Sequence, residues 1–248
     1  MDHQHASSFG TAATAYARHR PDYAQAAARW ALEPAPGPRV LDLGAGTGKL
    51  TATLLAAGAD VTAVEPDPAM LTELRRTHPG IPAHPGSAET IPLPDASVDA
   101  VLAGNALHWF DMTTAGPEIT RVLAPGGVLA GLWNTLDDSV DWVAALTEIS
   151  GPAVIGPRDT PAAWRTATAH LLDTIGPAEH AAFPHSQRRT ADSLVATLAT
   201  RAGLLVMPPG ERDTTLHRIR AFLAGHPETA DGEFTLPMLT CVLRARRH

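Results

Sequence analysis

The stretch Val40-Leu-Asp-Leu-Gly44-Ala-Gly46-Thr-Gly48-Lys-Leu50 decides the fold. Arg39 to Leu43 reads as a short buried strand and Leu50 to Ala57 as a helix, with three glycines at alternate positions between them. Glycine lets the backbone turn sharply there and come close to a ligand, while the helix start offers unpaired N–H groups. An ordinary tight strand-to-helix turn is the competing reading, and the density of glycines weighs against it. The spacing also sorts ligands. A dinucleotide loop needs Gly-x-Gly-x-x-Gly, and Lys49 stands where its third glycine belongs. A triphosphate loop needs Gly-x-x-x-x-Gly-Lys-Ser/Thr, but Leu50 follows Gly48-Lys49 and Leu43 replaces the first glycine.

Downstream, strand-like and helix-like segments alternate: strand at Asp60 to Glu65, helix at Pro68 to Thr77, strand at Val98 to Ala103, helix at Thr114 to Leu123 and strand at Gly127 to Trp133. This rhythm specifies a doubly wound α/β fold with a parallel sheet. Glu65 ends the second strand, where an acid can accept hydrogen bonds from both hydroxyls of a ribose; a solvated acid before a turn is the plainer alternative. Upstream, Thr11 to Leu32 is Ala-rich with helical spacing and is broken at Pro21. Beyond Asn134 the pattern turns helical, at about Ser139 to Ile149, Pro161 to Ile175, Ala191 to Ala202 and Glu211 to Ala224, interrupted by Phe183 to Arg189. The tail, Phe234 to Arg244, alternates apolar with other residues and is expected to close the sheet as an edge strand that tolerates Pro237.

The chain has 248 residues, 44% of them apolar and 18% charged, which specifies a globular protein with a sizeable core. A net charge of -7 argues against general nucleic-acid binding. The single cysteine, Cys241, permits no intramolecular disulfide and no thiolate metal cluster. No run of 18 apolar residues occurs, and Met1-Asp2-His3-Gln4-His5 lacks the layout of a signal peptide, so a cytoplasmic protein without membrane contact is expected.

In order along the chain, Val40 to Gly48, Val64-Glu-Pro-Asp67 with Met70, Gly86-Ser-Ala-Glu89 before Ile91-Pro-Leu-Pro94, Ser97-Val-Asp99, Ala106-Leu-His-Trp-Phe110 and Arg121-Val-Leu-Ala-Pro-Gly-Gly127 resemble the class I S-adenosylmethionine-dependent methyltransferases, type-11-like small-molecule enzymes. The resemblance implies a mostly parallel seven-stranded sheet with an N-terminal helical lid (1–36), a cofactor-binding core (37–135), and a helical substrate cover with the end of the sheet (136–248). It implies S-adenosylmethionine as cofactor. Gly44, Ala45 and Gly46 would line its methionine part, oriented by Asp42, and Glu65 would take the ribose. Asp67 and Met70 would flank the adenine, Ala88 with Ser87 or Glu89 would meet its edge, and Asn105 would lie beside the sulfonium. Ser87 departs from the acid that relatives often carry there.

Methyl transfer from a sulfonium is an in-line displacement whose demands are proximity, collinearity and dryness. A carboxylate acceptor needs no base, whereas a phenol or amine benefits from one, for which His108 is the candidate; packing as a chamber wall is the equal alternative. Trp109, Trp133 and Asn134 are candidate substrate contacts, as are Tyr16, His19 and Arg20 of a closing segment. Trp142 and Trp164 read as core of the cover, and Arg188-Arg189 as either a pair for an acidic substrate or a solvated pair. No carboxylate cluster follows the fourth strand, so no metal is expected. The expected function is methylation of a small molecule, on carboxylate or hydroxyl oxygen ahead of nitrogen, by a monomer or homodimer. A non-methylating cyclisation or rearrangement on the same cofactor, and a cofactor-binding module without turnover, are the alternatives.

Overall fold

The computed structural model describes residues 21–156, 159–169, 172 and 175–247. Along the chain lie α1 (Gln25–Leu32), β1 (Arg39–Leu43), α2 (Lys49–Ala56), β2 (Asp60–Glu65), α3 (Pro68–Thr77), β3 (Ala83–Pro85), β4 (Val98–Gly104), α4 (Met112–Val122) and β5 (Leu123–Leu136). There follow α5 (Asp141–Ser150), α6 (Pro161–Thr168), β6 (Glu179–Thr190), α7 (Ala191–Ala199), α8 (Ala202–Leu205), α9 (Pro209–Gly225) and β7 (Glu233–Arg246). These strands form one seven-stranded sheet in the order β3-β2-β1-β4-β5-β7-β6. β1 to β5 run parallel, and β7 is antiparallel to both its neighbours. The order reverses between β1 and β4, which opens a crevice at their carboxyl ends, where such sheets take ligands.

Alternate strand residues feed opposite faces. Leu41, Leu43, Val101 and Leu129 pack with Ile119 of α4 and with Trp133, while Val40, Leu102, Val128 and Leu132 pack under α1 and α2. Ala27, Ala28 and Ala31 are fully buried, so small side chains bring α1 down onto the sheet as a core layer. The remainder of the expected lid, Met1 to Arg20, lies outside the described residues. A further apolar cluster joins α5, α7 and α9 to Phe234, Leu236 and Met238. The long β7 therefore ties the helical cover to the sheet: its first half packs under the cover and its second half, with Val242 and Leu243, in the main core.

The tail is not the edge. β7 lies between β5 and β6, and the edge is β6, whose Glu179-to-Thr190 sequence carries too few apolar residues to announce a strand. Pro237 is accommodated because the β5–β7 ladder ends at Leu136–Met238, one residue short of it, and its carbonyl accepts from Asp137 N at 3.2 Å. The three-residue β3, flanked by prolines, gave no periodic signal.

Candidate active site

Gly44, Gly46 and Gly48 all hold positive φ, +68°, +57° and +90°. Packing alone demands glycine at two of them. A Cβ on Gly44 would lie 2.9 Å from Ala106 Cβ, and one on Gly48 would lie 2.7 Å from the His78 ring. Gly46 differs, because only Met70 Sδ, at 3.8 Å, approaches its would-be Cβ. Its bare backbone thus lines open space, bounded by Met70 of α3. The Gly44 and Ala45 N–H groups both donate to Val64 O, at 2.9 and 3.1 Å, which fastens the loop across the tip of β2.

Glu65, at the end of β2 and 5% exposed, completes that fastening. Its Oε2 accepts from Gly46 N and its Oε1 from Asp67 N, each at 2.8 Å. Burial pushes its pKa up, and the two N–H donors pull against that. Each oxygen keeps a lone pair for a hydroxyl. Asp42, fully buried one strand over, takes the Thr51 hydroxyl on Oδ2 at 2.6 Å. Burial, opposed by that bond and reinforced by the nearby Glu65 charge, raises its pKa to about 7. Asp42 Oδ1 and Thr47 Oγ1 are buried with no hydrogen-bond partner among the described residues. An open glycine cradle, a strand-tip carboxylate with spare lone pairs and orphaned buried oxygens beside the loop fit an aminoacyl nucleoside.

Asp67 caps α3, its Oδ1 accepting from Ala69 and Met70 N–H at 2.8 and 2.9 Å, and so sets where Met70 stands. Across the crevice, Ala88 is buried in the core with Ile91, and Glu89 Oε1 accepts from Asp111 N at 3.1 Å. Ser87 forms a bridge with Thr90 at the turn. This turn is anchored by Arg121, which the motif reading quoted without assigning it a role, and by Glu118, which it passed over. Arg121 of α4 donates to the carbonyls of Ile91 and Leu93, at 3.0 and 2.8 Å, and pairs with Glu118 and Asp95. Glu118 in turn accepts from Ile91 N, and the Arg121 guanidinium holds its pKa down at about 2.

At the tip of β4, Asn105 adopts φ +51°, a left-handed conformation that asparagine reaches more readily than other non-glycine residues. Its Nδ2 donates to the Tyr23 hydroxyl at 3.2 Å, and that ring end sits where a Gly104 side chain would go. Asn134 Nδ2 donates to Asp22 O at 2.8 Å, its Oδ1 accepts from Thr240, and Thr240 accepts from Ala24 N. Asp22 to Ala24 are thereby stitched across the tips of β4, β5 and β7. Asn134 thus serves first as a structural pin, although it also borders the cavity beneath. Tyr16, His19 and Arg20 lie outside the described residues.

His108 and Trp109 form a short 3₁₀ turn after β4. His108 Nδ1 accepts from Trp133 Nε1 at 3.2 Å, which places the proton of the neutral ring on Nε2. Trp133 is 1% exposed and packs against Trp164, on the face of β5 opposite Asn134. Trp133, expected as a substrate contact, has its side chain turned into the core, where it donates to His108. Trp109 is half exposed.

The two arginines weighed together in the sequence part company. Arg188 is exposed and pairs with Glu233 at 2.7 Å, whereas Arg189, 8% exposed, turns inward and donates to Gln187 Oε1 at 2.6 Å. Arg189 lines an enclosed cavity of about 50 Å³ with Asn105, Asn134, Arg201 and apolar residues that include Leu194 and Met238. A second, more open and polar cavity of about 300 Å³, bordered by Lys49, His185 and Arg188, shares Gln187 and Arg189 with it. Among the described residues no group of three or more His, Cys, Asp or Glu could hold a metal ion, and no helix is long and apolar enough to cross a membrane.

Residues 41–131 match the methyltransferase domain family. An uncharacterized methyltransferase of Mycobacterium tuberculosis is 43% identical over 242 residues, covering 96% of this chain and 95% of that protein. An uncharacterized methyltransferase-like protein of Schizosaccharomyces pombe is 36% identical over 177 residues, 70% of this chain and 68% of the relative. A structure from Anaeromyxobacter dehalogenans, assigned as a type II methyltransferase, superposes with a TM-score of 0.72 at 25% identity, over 92% of this chain and 99% of that one. With this likeness along nearly its whole length and a crevice that fits the nucleoside, the chain belongs to the class I methyltransferases that use S-adenosylmethionine as cofactor.

Proposed function

We propose that the protein methylates a small molecule on oxygen, hydroxyl or carboxylate, in the enclosed cavity that runs from Asn105 towards Arg189. The observation that carries this reading is the position of the cavity: it is bordered by Asn105 at the tip of β4 and roofed by β6, β7 and α7, and at about 50 Å³ it has room for the polar head of an acceptor beside the sulfonium end. Bound in the crevice, S-adenosylmethionine supplies a methyl group on a positively charged sulfur. Transfer would form one O–CH₃ bond and break one S–CH₃ bond, with the electron pair going to sulfur; a carboxylate reacts as the anion, and a hydroxyl releases its proton to water.

The chain's own part is to hold, orient and keep dry. Gly46, Glu65 and Met70 would hold the nucleoside and Asp42 its amino acid end, while Ser87, Ala88 and Glu89 form the wall on the other side. Asn105 and the Asp22–Ala24 stitch would close the sulfonium end against water. Oxygen is favoured over nitrogen because two guanidiniums border the cavity, which repel an ammonium ion and attract an anion. His108, with Nδ1 engaged by Trp133, serves as wall rather than base. The test is turnover by the purified protein with labelled S-adenosylmethionine and panels of carboxylic acids, phenols and amines matched in size. Label recovered in methyl esters or ethers supports the reading, and label in amines alone overturns it.

A further inference from the structure

We infer that the cavity between β6 and α7 is a carboxylate-recognition site, in which Arg189 and Arg201 hold the acid group of an acceptor with an apolar body. This rests on the acceptor cavity proposed above and names its ligand class. The two guanidiniums reach one enclosed space from different elements: Arg189 from the end of β6 and Arg201 from the turn after α7. Gln187 accepts from Arg189 Nη2 and so fixes that guanidinium at the cavity wall. Arg201 Nη1 pairs with Asp159, a carboxylate already engaged by Gly156 N at 2.6 Å. Arg201 Nε is buried with no hydrogen-bond partner among the described residues. One edge of that guanidinium is thus satisfied within the protein, and the other awaits an acceptor.

Charge supports the same ligand. Two arginines and a single acid, Asp159, stand among the described residues bordering this cavity. Burial depresses the Arg189 pKa, so an arriving anion relieves a real cost. A planar carboxylate matches the guanidinium fork, and the leucines and Met238 around it suit a hydrocarbon chain.

The test is calorimetric titration of hexanoate, adipate and the neutral hexanamide into the protein, with and without saturating S-adenosylhomocysteine. The expected result is that both acids bind at least ten-fold more tightly than the amide, and that Arg201→Gln and Arg189→Gln each weaken the acids ten- to a hundred-fold while leaving the amide and S-adenosylhomocysteine unchanged. Should either variant fail to fold, the acid-to-amide ratio in the wild-type protein still decides. Equal affinity for acid and amide, absence of acid binding, or full acid affinity in both folded variants overturns the inference. Acid binding without any binding of S-adenosylhomocysteine upholds the clamp and overturns instead the cofactor crevice on which the functional reading stands.

Discussion

Replacing Glu65 by Gln removes one charge and little volume. In the native protein one carboxylate accepts two backbone N–H bonds at 2.8 Å, from Gly46 and Asp67, and keeps lone pairs for a ribose. Glutamine has one acceptor oxygen, so its NH₂ group must face either the Gly46 or the Asp67 N–H, and one short bond becomes a donor–donor contact. Hydrogen bonds to a charged partner contribute about 1.5–3 kcal/mol each. Loss of charge-assisted bonding to the ribose should therefore raise the dissociation constant for S-adenosylhomocysteine about 10- to 150-fold. The distorted loop should cost about 1 kcal/mol of stability, a shift of about 2–4 °C in Tm for a chain of this size. Equilibrium dialysis with labelled S-adenosylhomocysteine, beside a thermal melt, reads both quantities. An affinity within two-fold of wild type in a folded variant would refute the placement of the ribose at Glu65.

Gly46→Val fills the open side of the cradle and forces a β-branched residue to φ +57°; circular dichroism should show a folded protein and calorimetry no S-adenosylhomocysteine binding. Asp42 has its pKa raised to about 7, so its ionisation works against folding: the stability linked to it is present below about pH 4 and is lost as pH rises to about 7. Asp42→Asn, which still accepts from Thr51, should stabilise the ligand-free protein at pH 8 by a few kcal/mol, on the order set by that shift, and flatten its denaturation profile between pH 5 and 8. Arg121→Ala frees the turn at Ile91 to Leu93 and should raise the KM for S-adenosylmethionine several-fold with little change in kcat, as steady-state kinetics would show. His108→Phe should retain most turnover on a phenolic acceptor with an unaltered pH profile, whereas a loss of 100-fold or more on the phenol, with turnover of a carboxylic acid intact, would restore the general base.

The glycine loop, Glu65 and the alternation of strands and helices up to Asn134 were legible because each rests on local chemistry: positive φ, a strand-tip acid, and apolar periods of 2 and 3.6. The cofactor half of the crevice follows from these. The acceptor half does not. Arg189 and Arg201 border one cavity with Leu236 and Met238 because β6 pairs with β7, a contact between residues some fifty apart, and β6 carries little apolar alternation. Arg188 and Arg189 look alike in sequence, and it is strand alternation on β6 that sends one to Glu233 outside and the other into the cavity. Trp133 and Asn134 divide in the same way: adjacent strand residues face opposite sides, so Trp133 enters the core while Asn134 borders the cavity. The edge-strand expectation for the tail came from its apolar alternation and took Pro237 as compatible with an edge; the proline is tolerated inside the sheet because the β5 ladder ends one residue earlier.

The central claim is that the Gly44–Gly48 loop and Glu65 hold the cofactor with its sulfur end towards Asn105. A crystal structure of the protein with S-adenosylhomocysteine tests it most directly. The account predicts the ribose hydroxyls on the Glu65 carboxylate, the amino acid end over Gly46, and the sulfur at the mouth of the cavity bordered by Asn105; a nucleoside bound elsewhere, or one whose ribose makes no contact with Glu65, would contradict it.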